Sequence, residues 1–196
     1  MNTTAPDCRT HLANALTRAK QGETPYRHWL LHNVLPESTC AGLAALPLSP
    51  PPIGDTMGRR ETHNDSRIFL NPDRRARFPV CATLADALQS PPLLTHIQWR
   101  YGVTLTGTFL RIEYCLDQGG FWLEPHTDIL DGAHKLVTRV PAHCNSGLIF
   151  VPAENTWHGF APRPITGIRR TLIVNYVVPE WRSGHELAFP DAPISA

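Results

Sequence analysis

The hydrophobic pattern of the chain changes near its middle. Up to residue 103 the apolar positions recur at helical spacing. Leu12 and Leu16 share one helical face behind Asp7, whose short carboxylate can accept from a first-turn N–H, and Gly22 lies where such a helix would stop. Ser38 can cap a second helix over residues 39–46. Pro79 and Pro91 suit first helical positions, because a helix leaves its first N–H groups without internal partners. They open two more predicted helices, one carrying Leu84 and Leu88, the other following Ser90 with Leu94 and Ile97 and closing at Gly102. Residues 46–54 hold Pro47, Pro50, Pro51 and Pro52, a density that excludes helix and interrupts any strand ladder, so this stretch reads as loop. The helices together would form one supporting layer.

From Thr104 onward the chain consists of short runs rich in Thr, Val, Ile and aromatics, separated by Gly, Pro and Asn, which is strand-and-turn composition. Over residues 109–115 Leu110, Ile112 and Tyr114 alternate with Arg111 and Glu113. Period two therefore turns Tyr114 toward a core or cavity together with the two aliphatics. Residues 148–151 and 171–178 are apolar at consecutive positions, the expectation for central strands covered on both faces. The pattern as a whole predicts a mostly β protein, a sandwich or barrel backed by helices, without internal repeats.

Composition narrows the function classes. A chain of 196 residues, 42% hydrophobic, suits one substantial core, so 1–196 is read as a single domain. Within it, 1–103 supplies helical support and loops, 104–180 the β core and 181–196 a C-terminal tail. Lys plus Arg number 18 and Asp plus Glu 17, which leaves no basic surplus for a nucleic-acid backbone or an anionic membrane. Five cysteines without a Cys-x-x-Cys pair suggest neither a disulfide framework nor a structural zinc site. With no signal-peptide core and no membrane-length apolar run, a soluble cytoplasmic protein is expected.

Three sequence elements carry candidate chemistry. His126-Thr-Asp128 sets an imidazole and a carboxylate two residues apart, so that on a strand both leave one face and can meet one small cation. A capped turn or a surface hydrogen bond would explain that pair equally well, and a second element is needed. His158, between Trp157 and Phe160 and just after the apolar run 148–151, supplies it. Two imidazoles and one carboxylate on one side of a cation leave the remaining positions open, the facial arrangement of non-haem Fe(II) oxygenases. A closed zinc site would use a fourth protein ligand, usually sulfur, and no cysteine has matching spacing. The third element is Arg169-Arg170-Thr171. A guanidinium inside a barrel suits a carboxylate bidentately, and Thr171, on the same face as Arg169, can donate a further hydrogen bond. The alternative is a pair of ordinary strand-edge charges.

His134 and His143 compete for the third ligand position but lack the setting of His158. Trp122 and Trp157 can line a pocket or pack a core. His28, His32, His63 and His96 read as surface or capping residues. The polar stretch 59–67 reads as a solvated loop, with a substrate-binding lid as the alternative. The interval between His126 and His158 has room for one strand, over 135–140, but not for a full crossing and return.

In this order, Tyr114, His126-x-Asp128, His158 and Arg169-x-Thr171, residues 109–176 resemble the core of the Fe(II)/2-oxoglutarate-dependent oxygenases, in the branch typified by prolyl-4-hydroxylase-like small bacterial oxygenases. The resemblance covers about a third of the chain closely. It implies a double-stranded β-helix, jelly-roll or cupin-like, with N-terminal helices packed on its larger sheet. It further implies iron on His126, Asp128 and His158, the distal carboxylate of 2-oxoglutarate on Arg169 with Thr171, and assistance from Tyr114. Fe(II), 2-oxoglutarate and O2 would be the cofactor and cosubstrates. The implied reaction is hydroxylation of a small-molecule or amino-acid-like substrate with release of succinate and CO2. Related halogenases carry a small residue where Asp128 stands, so halogenation is not expected. Two other classes compete: a binding or sensing barrel that keeps the iron and 2-oxoglutarate site with little turnover, and a cupin-type barrel holding zinc or manganese.

Overall fold

Among the described residues all five α-helices lie before residue 102, as the sequence predicts, but three short strands are interleaved with them. The computed structural model describes residues 7–50, 67–119, 123–126, 140–141, 143–160, 164–181 and 183–195, with the backbone alone at 123–126 and 160. Helix α1, Cys8–Thr17, starts as the sequence predicts: Asp7 accepts from the Thr10 N–H at 2.7 Å, and Cys8, Leu12, Ala15 and Leu16 are buried along one face. Strands β1 (Lys20–Gly22) and β2 (His28–His32) follow. Gly22 is therefore not a helix stop. It pairs across the ladder with His28, and a Cβ at Gly22 would lie 2.6 Å from the imidazole, so any larger residue would have to displace that ring. His28, expected at the surface, is buried, with Nδ1 2.8 Å from the Tyr26 carbonyl.

Helix α2 runs Glu37–Ala44 with Pro36 at its N-cap, two residues earlier than a Ser38 cap predicts. The fixed φ of proline shapes the entry, and the Glu37 carboxylate suits the positive end of the helix dipole. Next come β3 (Ile68–Phe69), α3 (Pro72–Arg77), α4 (Pro79–Leu88) and α5 (Pro91–Tyr101). The last two begin at prolines as expected, and Gly102 closes α5 in the left-handed region (φ 67°). The second half provides β4 (Phe109–Asp117), β5 (Leu123–His126), β6 (Ser146–Phe150), β7 (His158–Phe160) and β8 (Arg169–Val177).

Among the described residues these strands form three antiparallel groups, β1-β2-β6, β3-β4-β8 and β5-β7. The β4-β8 ladder is the longest and runs from Phe109↔Val177 to Asp117↔Arg169 without a register break. Directly opposed residues share a face. Leu110, Ile112, Tyr114 and Leu116 belong to one buried cluster with Leu12 and Leu16 of α1 and Leu84 and Leu88 of α4. The helices thus cover this face. The opposite face carries Arg111, Glu113 and Asp117. Neither β6 nor β8 is covered throughout, contrary to the doubly apolar reading: Leu148 is 37% and Val174 36% exposed.

Two local devices hold the edges. Asn145, in the left-handed region (φ 53°), accepts the N–H groups of Val34 and Leu35 at its Oδ1 (3.0 and 2.8 Å) and donates Nδ2 to the Leu35 carbonyl (2.8 Å). It ties the end of β2 to the start of β6. The segment expected to be a tail is instead packed: the Ala188 N–H donates to Leu110, the Ile194 N–H to Thr108, and both Ala188 and Ile194 are buried. Among the described residues no helix is long and apolar enough to cross a membrane.

Two stability outcomes follow from this packing. Leu110→Ala, at a fully buried position in the central strand, is expected to cost about 2–5 kcal/mol in urea unfolding. Tyr101 behaves oppositely. Its hydroxyl is buried without a hydrogen-bond partner among the described residues, and burial pushes its pKa up to about 12. Tyr101→Phe is therefore expected to leave the melting temperature at pH 7 unchanged or higher. Because the folded pKa exceeds that of the unfolded chain, the stability held by neutral Tyr101 is present below pH ~10 and is lost as pH rises toward about 12. The variant should show a shallower alkaline loss over that window, and an equally steep loss in both proteins would refute the assignment.

Candidate functional site

The polar face of the β4-β8 ladder is a continuous stripe. Its opposed pairs are Arg111↔Asn175, Glu113↔Ile173, Cys115↔Thr171 and Asp117↔Arg169. At one end Arg111 is 2% exposed and held on several sides. Its Nε donates to Glu186 at 2.6 Å, Nη2 donates to Glu113 at 3.1 Å, and the guanidinium carbon lies 4.6 Å from the Phe69 ring centre. Glu113 also receives Arg67 at 3.2 Å. Two cations and two anions balance here, which is what allows them to be buried. Of the polar stretch 59–67, only Arg67 lies within the described residues, and it is an ion-pair partner of the sheet.

At the other end Arg169 donates Nη1 to Asp117 Oδ2 at 2.7 Å, a short charge-assisted bond between residues directly opposed in the ladder. The Asp117 side chain is 8% exposed and that of Arg169 29%. Thr171, half-buried, shares this face. The alternation thereby separates the two arginines. Arg169 belongs to the polar face, whereas Arg170 is opposed to Leu116 on the other and approaches the hydroxyl of Tyr114.

Tyr114 is not brought together with Arg169. It is 2% exposed among the aliphatics of the helix-covered face, and its hydroxyl donates to the Leu43 carbonyl of α2 at 2.7 Å. Burial raises its pKa, partly offset by the Arg170 guanidinium. The sequence reading that turned Tyr114 inward with Leu110 and Ile112 holds, but inward here means toward the helices. Tyr114 and Arg169 thus lie on opposite faces of the sheet, with Arg170 on the side of Tyr114.

The histidines meet on the shorter pair. In β5-β7 the Cα of His126 is the direct partner of the Cα of His158, with a register irregularity between Leu123 and His126. Opposed Cα atoms in antiparallel ladders lie about 4.5–5.5 Å apart. His158 is half-buried. Its Nδ1 is 2.9 Å from the Thr156 carbonyl, and its ring centre is 4.9 Å from that of Phe150. A carbonyl accepts only, so Nδ1 is the donor in this contact; in a neutral ring that leaves the lone pair on Nε2, one of the two nitrogens through which histidine binds metals. The carbonyl is held in place by its own turn. Thr156, 2% exposed, accepts the Ala153 N–H at 3.0 Å through Oγ1, which donates back to the Ala153 carbonyl at 2.7 Å.

Asp128, His134, His63 and Trp122 lie outside the described residues, as does the strand expected over 135–140 except for Val140. Among the described residues no group of three or more His, Cys, Asp or Glu side chains is placed to hold a metal. The donor chemistry of His158 nevertheless fits a divalent ion, and its backbone register with His126 fits a two-histidine contribution. His143 is exposed, which weakens it as a competitor; His32 is exposed too, and Trp157 and His96 are half-buried. Sequence reasoning passed over Asp117 and Thr156. Both were visible as polar residues within or beside strands, but only the register and the turn give them partners. A scan against models of protein families finds no match, and a search of curated proteins finds none either.

The turn before His158 yields a direct check. Thr156→Val keeps the shape but removes the acceptor of the Ala153 N–H, and is expected to cost about 1 kcal/mol in urea unfolding. An unchanged midpoint would show that the turn does not depend on this hydroxyl.

Proposed function

We propose that this protein is an Fe(II)- and 2-oxoglutarate-dependent dioxygenase that hydroxylates a small-molecule or amino-acid-like substrate, built on a double-stranded β-helix and working in the cytoplasm. The observation that carries the reading is the cross-strand pairing of His126 with His158, the latter oriented by a backbone carbonyl at its Nδ1, which suits a neutral ring to ligate through Nε2. Arg169 and Thr171, on one polar sheet face, support the second half of it. Bound iron would supply the use of O2 as oxidant, one oxygen atom going to succinate as 2-oxoglutarate loses CO2 and the other to the hydroxylated substrate carbon.

The residues of the chain divide the remaining work. His126, Asp128 and His158 would hold the metal on one side and leave the opposite positions open. The reading requires both imidazoles to leave one face of the β5-β7 pair. Arg169 would bind the distal carboxylate, with Thr171 adding a hydroxyl donor, and would fix the orientation of the diacid. Trp157 and Phe150 flank His158 and would limit the access of water to the ligand shell. The near-balance of formal charge, +1 at pH 7, accords with a small-molecule substrate in place of a polyanion.

Anaerobic titration with Fe(II) and then 2-oxoglutarate tests the proposal. The weak visible charge-transfer band of the chelate is expected in the wild type and is expected to disappear in His126→Ala. A wild type without the band would reject the cosubstrate assignment. A band without succinate release on any substrate would place the protein among binding or sensing barrels, and zinc or manganese in anaerobically purified protein would favour a cupin-type site.

A further inference from the structure

We infer that Asp117 is a positioning residue for the carboxylate-binding arginine, setting the preference of the site for a 2-oxo diacid over a 2-oxo monoacid. The inference rests on the 2-oxoglutarate reading above and deepens it. Asp117 and Arg169 are directly opposed in an unbroken ladder, so the backbone fixes the distance between their Cα atoms. Their side chains close to 2.7 Å, with the carboxylate almost fully buried and the guanidinium about two-thirds so. An arginine has many rotamers, and an unanchored one would give up conformational freedom on gripping a ligand. Here that freedom is already restricted. A guanidinium presents five N–H donors around a planar fork, so a carboxylate on one side orients the fork toward a second anion without exhausting it.

Charge alone would have the opposite effect, which makes the role testable. A buried carboxylate beside Arg169 offsets its positive charge and repels an incoming diacid. If Asp117 did nothing more than neutralise, removing its charge would tighten 2-oxoglutarate binding. If it positions the fork, removal loosens binding, and does so only for ligands that reach Arg169.

The experiment titrates 2-oxoglutarate and pyruvate separately into the anaerobic Fe(II) protein by calorimetry and by the visible band. Pyruvate shares the chelating 2-oxo acid but lacks the distal carboxylate. In Asp117→Asn the dissociation constant for 2-oxoglutarate is expected to rise about ten-fold, in line with the loss of an orienting partner at other ligand sites, while that for pyruvate stays within two-fold. Asp117→Glu keeps the charge, displaced by one methylene, and is expected to show an intermediate preference; it also serves if the Asn variant fails to fold. Tighter 2-oxoglutarate binding in Asp117→Asn, an equal weakening for both acids, or an unchanged preference in both variants would overturn the inference while leaving the iron and 2-oxoglutarate reading intact. Wild-type protein that binds pyruvate but not 2-oxoglutarate would overturn both.

Discussion

The unbroken pairing of Phe109–Asp117 with Arg169–Val177 is the constraint on which the other features rest. Its period of two sorts side chains into an apolar face and a polar one, and each has its own partners. Leu110, Ile112, Tyr114 and Leu116 complete the core that α1 and α4 begin. Arg111, Glu113 and Asp117 face the other way and are satisfied by Glu186, Arg67 and Arg169. Burying that many charges is tolerable only because each finds an opposite partner, and the ladder brings those partners from positions far apart in the chain. A slip of one residue would exchange the faces and leave both sets without partners.

Local signals in the sequence were readable where one side chain decides the backbone. The Asp7 cap, the prolines that open α4 and α5 and the left-handed Gly102 are of this kind. Alternation in 109–115 likewise revealed a strand with Tyr114 on its apolar side. What the sequence concealed depended on long-range pairing. The run Trp29-Leu30-Leu31 suits helix and strand equally until β6 lies beside it, and Gly22 resembles a helix stop until His28 takes up the space above it. The closing residues looked like a tail because their contacts are backbone hydrogen bonds to β4 and its flank, which leave little trace in composition.

The candidate site divides along the same line. His158 and Arg169 could be singled out by residue type and setting, and the register adds their neighbours: Arg169 is opposed to Asp117 on the polar face, and Arg170 to Leu116 on the other. Tyr114 shows the converse: its direction was legible, but what lay in that direction was not, since both a core and a cavity are inward. Thr156 and Asp117 have unremarkable sequence contexts. Their importance comes from the atom each one fixes, a carbonyl against His158 and a carboxylate against Arg169.

The central ladder also bears on how the chain is made. Asp117 and Arg169 are 52 positions apart, and every other pair of the ladder is separated by more. On a ribosome, β4 would therefore emerge well before its partner, with one edge open and an apolar face that only the earlier helices can shelter. Those helices lie upstream of it, so a cover is available before the strand appears. The order of elements thus serves as a safeguard during synthesis: the chain first assembles what will shield β4, and last what will pair with it.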